Sequence, residues 1–206
     1  MSQPRFAAFA GSVRKDSVNK KLIRLAAAAA AKAGAAVTLI DLRDYPMPLY
    51  DGDWESRQGV PEAAQRLRRL LIEQDGLLIA SPEYNSSLSP LLKNTIDWVT
   101  RGSKTLQEAL APFQDKVVGL LSASPGSLGG LRGLVHVRSI LSSIGAFVLP
   151  DQVTIASAFE AFDEAGKLKD DAASRRVDAL AQKAVRTAEG VSNLYGVGSS
   201  SVKVGV

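Results

Sequence analysis

The chain has 206 residues, 46% hydrophobic and 22% charged, which suits one domain with a sizeable core and excludes a wholly disordered polymer. It has no cysteine and one histidine, His136, so disulfides, iron–sulfur clusters, thiolate zinc sites and cysteine nucleophiles are excluded, and an imidazole metal site or a Ser/His/Asp triad is not expected. The net charge is +4, with Lys and Arg scattered along the chain, so we expect attraction for small anions rather than a nucleic-acid partner.

No apolar stretch is long enough to span a bilayer. Arg5, a short apolar run and then Gly11 do not make a signal peptide, so a cytoplasmic protein without a membrane partner is expected. Any redox chemistry must then come from a bound organic cofactor.

In chain order, Phe6 to Ala10 reads as the first strand, and Val18, Leu22, Leu25 and Ala29 form a helical stripe after it. Val37 to Leu42 reads as the second strand. The segment Asp44 to Gly59, with Pro46, Pro48, Gly52 and Gly59, reads as a long loop of the kind that often carries function. Val60, Ala64, Leu67 and Leu71 mark the second helix, with Arg66, Arg68 and Arg69 on its solvated face. Gly76 to Ala80 is the third strand. Leu92, Ile96 and Val99 mark the third helix, with Pro90 as its first residue and Ser89 as its cap.

Val117 to Leu121 is the fourth strand, and Leu134, Val137, Leu141 and Ile144 the fourth helix. Ala146 to Leu149 is the fifth strand. Val177, Leu180, Ala181, Ala184, Val185 and Ala188 make the cleanest helical stripe. Each strand is a near-continuous apolar run, the pattern of a parallel strand covered on both faces. Five strands alternating with five helices imply a doubly wound α/β domain over residues 1–189. Residues 190–206, rich in Gly, Ser and Val, are expected to form a flexible tail, with a terminal strand as the competing reading.

Two strand-to-helix segments are unusual. The first is Gly11-Ser12-Val13-Arg14-Lys15-Asp16-Ser17-Val18-Asn19. It places glycine, short polar side chains and an arginine at a helix N-terminus, where unpaired N–H groups bind phosphate. Neither the dinucleotide G-x-G-x-x-G pattern nor the Walker A pattern is present, so a single phosphate suits this turn best. Ser17 could equally be a plain N-cap, and Gly11 a plain turn residue. The second segment is Ser81-Pro82-Glu83-Tyr84-Asn85-Ser86-Ser87-Leu88-Ser89-Pro90. In a flavodoxin-type strand order, strands one and three flank the topological switch point, and both segments meet at one crevice.

Gly11-Ser12-x-Arg14-x-x-Ser17-x-Asn19, Pro82-Glu83-Tyr84-Asn85 and Leu92-Lys93-Asn94-x-Ile96-Asp97-Trp98 together resemble the NADPH-dependent FMN reductase family, over about residues 5–188. The resemblance implies a flavodoxin-like three-layer sandwich, with a five-stranded parallel sheet in the order 2-1-3-4-5. It implies bound FMN, with NADPH or NADH as electron donor and a small acceptor such as a quinone, chromate or azo compound. It also implies a homodimer or homotetramer.

By resemblance, Ser12, Arg14, Ser17 and Asn19 surround the FMN phosphate, with Val18 giving a backbone N–H. Pro82, Glu83, Tyr84 and Asn85 line the isoalloxazine and ribityl chain. The loop after the fourth strand, with Ser122, Ala123, Ser124 and Gly126, touches the pyrimidine edge. Many members carry Ser or Thr where this chain has Ala123, so the backbone is expected to serve there. No catalytic side chain is expected, since flavin N5 carries the chemistry.

For the remaining conspicuous residues the expectations are plainer. Tyr84 would wall the nicotinamide site, Trp98 would sit in a subunit interface, and Arg101 would meet the NADPH 2′-phosphate. Arg132 would pair with an acid across an interface or sit at a solvated helix start. His136 would be an ordinary helix residue. Asp53, Trp54 and Glu55 would form an acceptor-site rim or plain surface. A flavodoxin-like electron carrier is the chief competing function, although such carriers are typically strongly acidic and this chain is basic. A non-redox phosphate-binding module is the other.

Overall fold

In the first strand Ala7 and Phe9 point to one layer of helices, while Phe6, Ala8 and Ala10 point to the other, and all five are buried. This two-sided burial recurs in the central strands and divides the core into two apolar clusters, one on each face of a single sheet. The computed structural model describes residues 3–195.

The elements run β1 (Arg5–Ala10), α1 (Val18–Lys32), β2 (Ala36–Ile40), a 3-10 turn (Leu42–Asp44), α2 (Gly52–Gln58), α3 (Glu62–Ile72), β3 (Gly76–Ala80), β4 (Glu83–Tyr84), β5 (Ser87–Leu88), α4 (Pro90–Val99), α5 (Leu106–Leu110), β6 (Val117–Ala123), α6 (Leu131–Ser143), β7 (Phe147–Ile155) and α7 (Asp171–Tyr195). The large sheet has the order β2-β1-β3-β6-β7, with every pairing parallel. This is the expected 2-1-3-4-5 order once the small β4–β5 hairpin is set aside. α1 and α7 cover one face, while α3, α4 and α6 cover the other. Four of the six alanines of α1 (Ala26, Ala27, Ala29 and Ala30) are buried in the first of these layers.

Four readings need correction. β2 and β7 are edge strands and are not covered on both faces; Leu39 in β2 is half exposed. β7 is also longer than expected. It continues through Pro150, Asp151 and Gln152, because a register shift lets it bulge between the pairs Val118–Val148 and Leu120–Gln152. Proline, which has no N–H to donate, is tolerated at such an edge. The loop 44–59 contains α2, capped by Asp51, whose carboxylate accepts the N–H groups of Asp53 and Trp54. α7 runs to Tyr195, through the first residues of the expected tail, and the rest of that tail lies outside the described residues. No helix among the described residues is long and apolar enough to cross a membrane.

Candidate functional site

The turns after β1, β3 and β6 leave the same end of the sheet from three adjacent strands, which is where open α/β sheets bind ligands. In the first turn, Gly11 donates its N–H to the Ala80 carbonyl at 2.9 Å, and its own carbonyl accepts the Ser89 hydroxyl at 2.7 Å. Gly11 has no left-handed backbone, so tight turning is not the reason for glycine here. Space is. A Cβ would lie 3.0 Å from Leu92 Cβ, 3.2 Å from Ser89 Oγ and 3.3 Å from Pro82 Cδ.

Ser17 stands at the N-cap of α1 with an extended backbone, yet its hydroxyl makes no cap bond, and no acidic residue lies in the first helical turn. The residue is buried, as is Ser12, whose Oγ accepts the Arg14 N–H at 3.3 Å. The Arg14 side chain is exposed. A 15-residue helix thus begins with free N–H groups, a free, solvent-reachable hydroxyl on the otherwise buried Ser17 and an unpaired guanidinium among the described residues. This donor set fits a phosphate. Asn19 is turned away from it. Its amide donates to the Ala123 carbonyl at 2.8 Å and accepts the Ala123 N–H at 2.9 Å, so its side chain joins two loops.

The second loop forms the β4–β5 hairpin. Asn85 (φ 49°) and Ser86 (φ 66°) make its two-residue turn, with the paired left-handed backbone of a type I′ turn. Tyr84 is half exposed at the tip, free to act as a wall. Glu83 is not. Its carboxylate turns onto α6, where Oε1 accepts from Arg132 Nη2 at 2.7 Å and Nε at 3.1 Å, and Oε2 accepts the Gly133 N–H at 3.0 Å. Burial would raise the Glu83 pKa, but the Gly133 N–H and the Arg132 guanidinium outweigh it and hold the carboxyl below its ordinary value.

In the third loop, Ser122 is fully buried and its hydroxyl has no partner. It lies directly beneath Gly130, whose left-handed φ of 92° opens α6. The expected contact of Ser122 with a ligand is therefore not available to this side chain. The Ala123 N–H is engaged by Asn19 and the Ser124 N–H by the Ile155 carbonyl at 3.0 Å. The Gly126 N–H reaches Ser124 Oγ only at 3.4 Å, leaving it a freer donor than the Ala123 and Ser124 N–H groups.

The structure moves the other conspicuous residues. Trp98 is fully buried within its own chain. Its Nε1 donates to the Pro48 carbonyl at 2.7 Å, and its ring meets Tyr50 and Trp54 edge-on. Asn94, one turn earlier, donates to the same carbonyl at 2.9 Å and accepts the Tyr50 N–H at 2.8 Å. The Asn94 and Trp98 positions that carried the resemblance thus fasten the 44–59 segment to α4. Arg101 lies over the Tyr50 ring at 4.4 Å, and the Tyr50 hydroxyl donates to Glu55 at 3.0 Å. The acid that pairs with Arg132 is Glu83 of the same chain. His136 Nδ1 is hydrogen-bonded to Ser87 Oγ at 2.8 Å. Sequence reasoning missed the hairpin and its attachment to α6, although Asn85, a residue tolerant of left-handed backbone, was a signal. Among the described residues no group of three or more acidic or histidine side chains could hold a metal.

A five-stranded parallel sheet in this order, with an open helix N-terminus after its first strand, defines a flavodoxin-like mononucleotide-binding protein. Residues 4–160 match the model of the NADPH-dependent FMN reductase family. The chain belongs to that family and is an FMN-dependent NAD(P)H oxidoreductase. It is 36% identical over 164 residues to an NAD(P)H-dependent FMN reductase of Pseudomonas aeruginosa, covering 79% of this chain and 83% of the relative. It is 32% identical over 178 residues to an NADPH:quinone oxidoreductase of Arabidopsis thaliana, covering 84% and 86%. Among solved structures it resembles a flavoenzyme NAD(P)H:(acceptor) oxidoreductase of Paracoccus denitrificans, with a TM-score of 0.75 at 25% identity, over 91% of this chain and 98% of the other.

Proposed function

We propose that this chain reduces small oxidised acceptors at the expense of NAD(P)H, with quinones as the first class to test and chromate and azo compounds next. Bound FMN would supply the redox chemistry. The observation that carries the reading is the uncapped N-terminus of α1, where the hydroxyl of the largely buried Ser17 has no cap bond.

The residues have separable tasks. Ser12, Ser17, the Val18 N–H and the Arg14 guanidinium would hold the phosphate of FMN, because together they offer hydroxyl, backbone and charged donors at the positive end of α1. Pro82, Tyr84 and Asn85 would bound the flavin ring and the space where donor and acceptor take turns. Gly126 and Ser124 would face the pyrimidine edge and orient donors toward negative charge. With the flavin supplying the chemistry, positioning and charge stabilisation would be the protein's part. A homodimer or homotetramer is part of the reading, supported by the exposed Leu128, Leu131 and Val135 at the start of α6.

The test is anaerobic mixing of the purified yellow protein with NADPH or NADH, followed by an acceptor panel at fixed donor, read as kcat/KM. Bleaching by the nucleotide and colour return on adding a quinone are expected. A protein that binds no flavin, or whose flavin the nucleotides leave yellow, overturns the reading.

A further inference from the structure

The geometry points to Glu83 as a positioning residue that sets the place of the Tyr84 wall by clamping the β4–β5 hairpin onto α6. This rests on the functional reading above only in treating the hairpin as one side of the flavin site.

A hairpin whose strands have two residues each has no stability of its own. Its position must come from what it is fastened to. α6 begins at Gly130, which has no side chain to cap the helix, and its first turn carries no acid of its own. Glu83 fills that role from 50 residues away. One carboxylate oxygen accepts the Gly133 N–H and the other takes two nitrogens of Arg132. An anion is favoured at that end of a helix. The Glu83 side chain is only 8% exposed, which shelters its bond to the Gly133 N–H, whereas Arg132 is 58% exposed and its share of the clamp is screened by solvent. Ser87, on the second strand of the hairpin, makes a further fastening to His136, three positions along α6 from Gly133.

Glycine at 133 gives the hairpin a close approach to α6. A Cβ there would lie 3.0 Å from the Ser87 carbonyl oxygen and 3.4 Å from Glu83 Cβ. Side chains alternate along a strand, so a Glu83 held inward on α6 leaves Tyr84 facing outward. The same contacts bring the hairpin against Gly130, the last residue of the third loop, where a Cβ would lie 3.6 Å from Glu83 Cβ. Glu83 therefore acts on the site through Tyr84 and through that loop, with its own carboxylate taken up elsewhere.

The experiment compares holoprotein of wild type, E83A, E83Q and R132M. Hydrogen exchange is followed at the amides of residues 83–88, and FMN affinity is measured by flavin titration. E83A should exchange faster in the hairpin, with β1 and β3 unchanged, and should bind FMN about tenfold more weakly, the scale of a lost charged hydrogen bond. E83Q keeps an acceptor for the Gly133 N–H and should fall between wild type and E83A. R132M guards against a variant that fails to fold. It alters an exposed arginine, keeps the Gly133 bond and should show the same two effects, smaller. Wild-type hairpin exchange, or wild-type FMN affinity, in both E83A and R132M overturns the proposal. If the wild type binds no FMN, the functional reading falls, and the clamp is judged by hairpin exchange alone.

Discussion

The side chain of Asn19 exchanges two hydrogen bonds with the backbone of Ala123, joining positions 104 residues apart. The contact ties the start of α1 to the end of β6. With Ser89 bonded to Gly11 and Glu83 bonded to Arg132 and Gly133, the three loops of the site are linked in pairs. Asn19→Ala would leave a buried N–H and a buried carbonyl without partners. It should cost about 2–4 kcal/mol, read by chemical denaturation, and weaken FMN binding without touching the flavin. An N19A variant within about 0.5 kcal/mol of wild type, the size of an ordinary surface change, would rule out this linking role.

Ser122 and Gly130 give a paired expectation. A Cβ on Gly130 would lie 1.9 Å from Ser122 Oγ, and its backbone is left-handed at φ 92°. Gly130→Ala should therefore be severely destabilising, by about 3 kcal/mol or more. Ser122→Ala removes a buried hydroxyl that has no partner. It should leave stability unchanged or raise it by about 1 kcal/mol. It should also leave FMN affinity alone, because the hydroxyl is sealed beneath the loop. A loss of flavin in S122A would restore Ser122 to the binding set.

How far these features could be read in advance follows from how local they are. β1, β3 and β6 were legible because inner parallel strands are continuous apolar runs. β7 was legible only over its first residues, since an edge strand need not be apolar and Pro150–Asp151–Gln152 looks like a turn. The open helix start at Ser17, with Arg14 just before it, could be placed from local sequence alone. The side-chain partners of Asn19 and Glu83 could not be read, because Asn19 bonds to a residue 104 positions away and Glu83 to one 50 positions away. The interface expectation for Trp98 rests on the resemblance alone; its partners Pro48, Tyr50 and Trp54 lie in a segment without periodicity, so no local pattern shows its burial within the chain.

Trp98 fastens that segment, so its indole N–H can be tested apart from its bulk. Trp98→Phe keeps most of the ring packing against Tyr50 and Trp54 and loses the bond to the Pro48 carbonyl. The expected cost is about 1 kcal/mol. Asn94 still holds the same carbonyl, so limited proteolysis between residues 48 and 58 should quicken only modestly in W98F. It should quicken strongly in the W98F/N94A pair. Equal cleavage rates in all three proteins would separate the loop from α4.

Lys116 makes stability depend on pH at the other end of the sheet. Its ammonium is buried beside the start of β6 and donates to the carbonyls of Gln74 at 2.6 Å and Ile72 at 3.1 Å. Burial is the main cause that lowers its pKa from 10.5 to about 8, with Asp75 and Asp115 opposing and Arg5 assisting. Between pH 8 and 10.5 the unfolded chain thus binds more protons at this position than the folded one. Stability from this group must therefore rise as pH rises through that window, by on the order of 3 kcal/mol at most. Lys116→Met leaves two carbonyls unpaired, so its absolute stability is not the test; the slope is. Denaturation free energies at pH 7.5 and 9.5 should differ more in wild type than in K116M, with wild type gaining at the higher pH. Equal slopes would mean that the Lys116 ammonium titrates near its ordinary value.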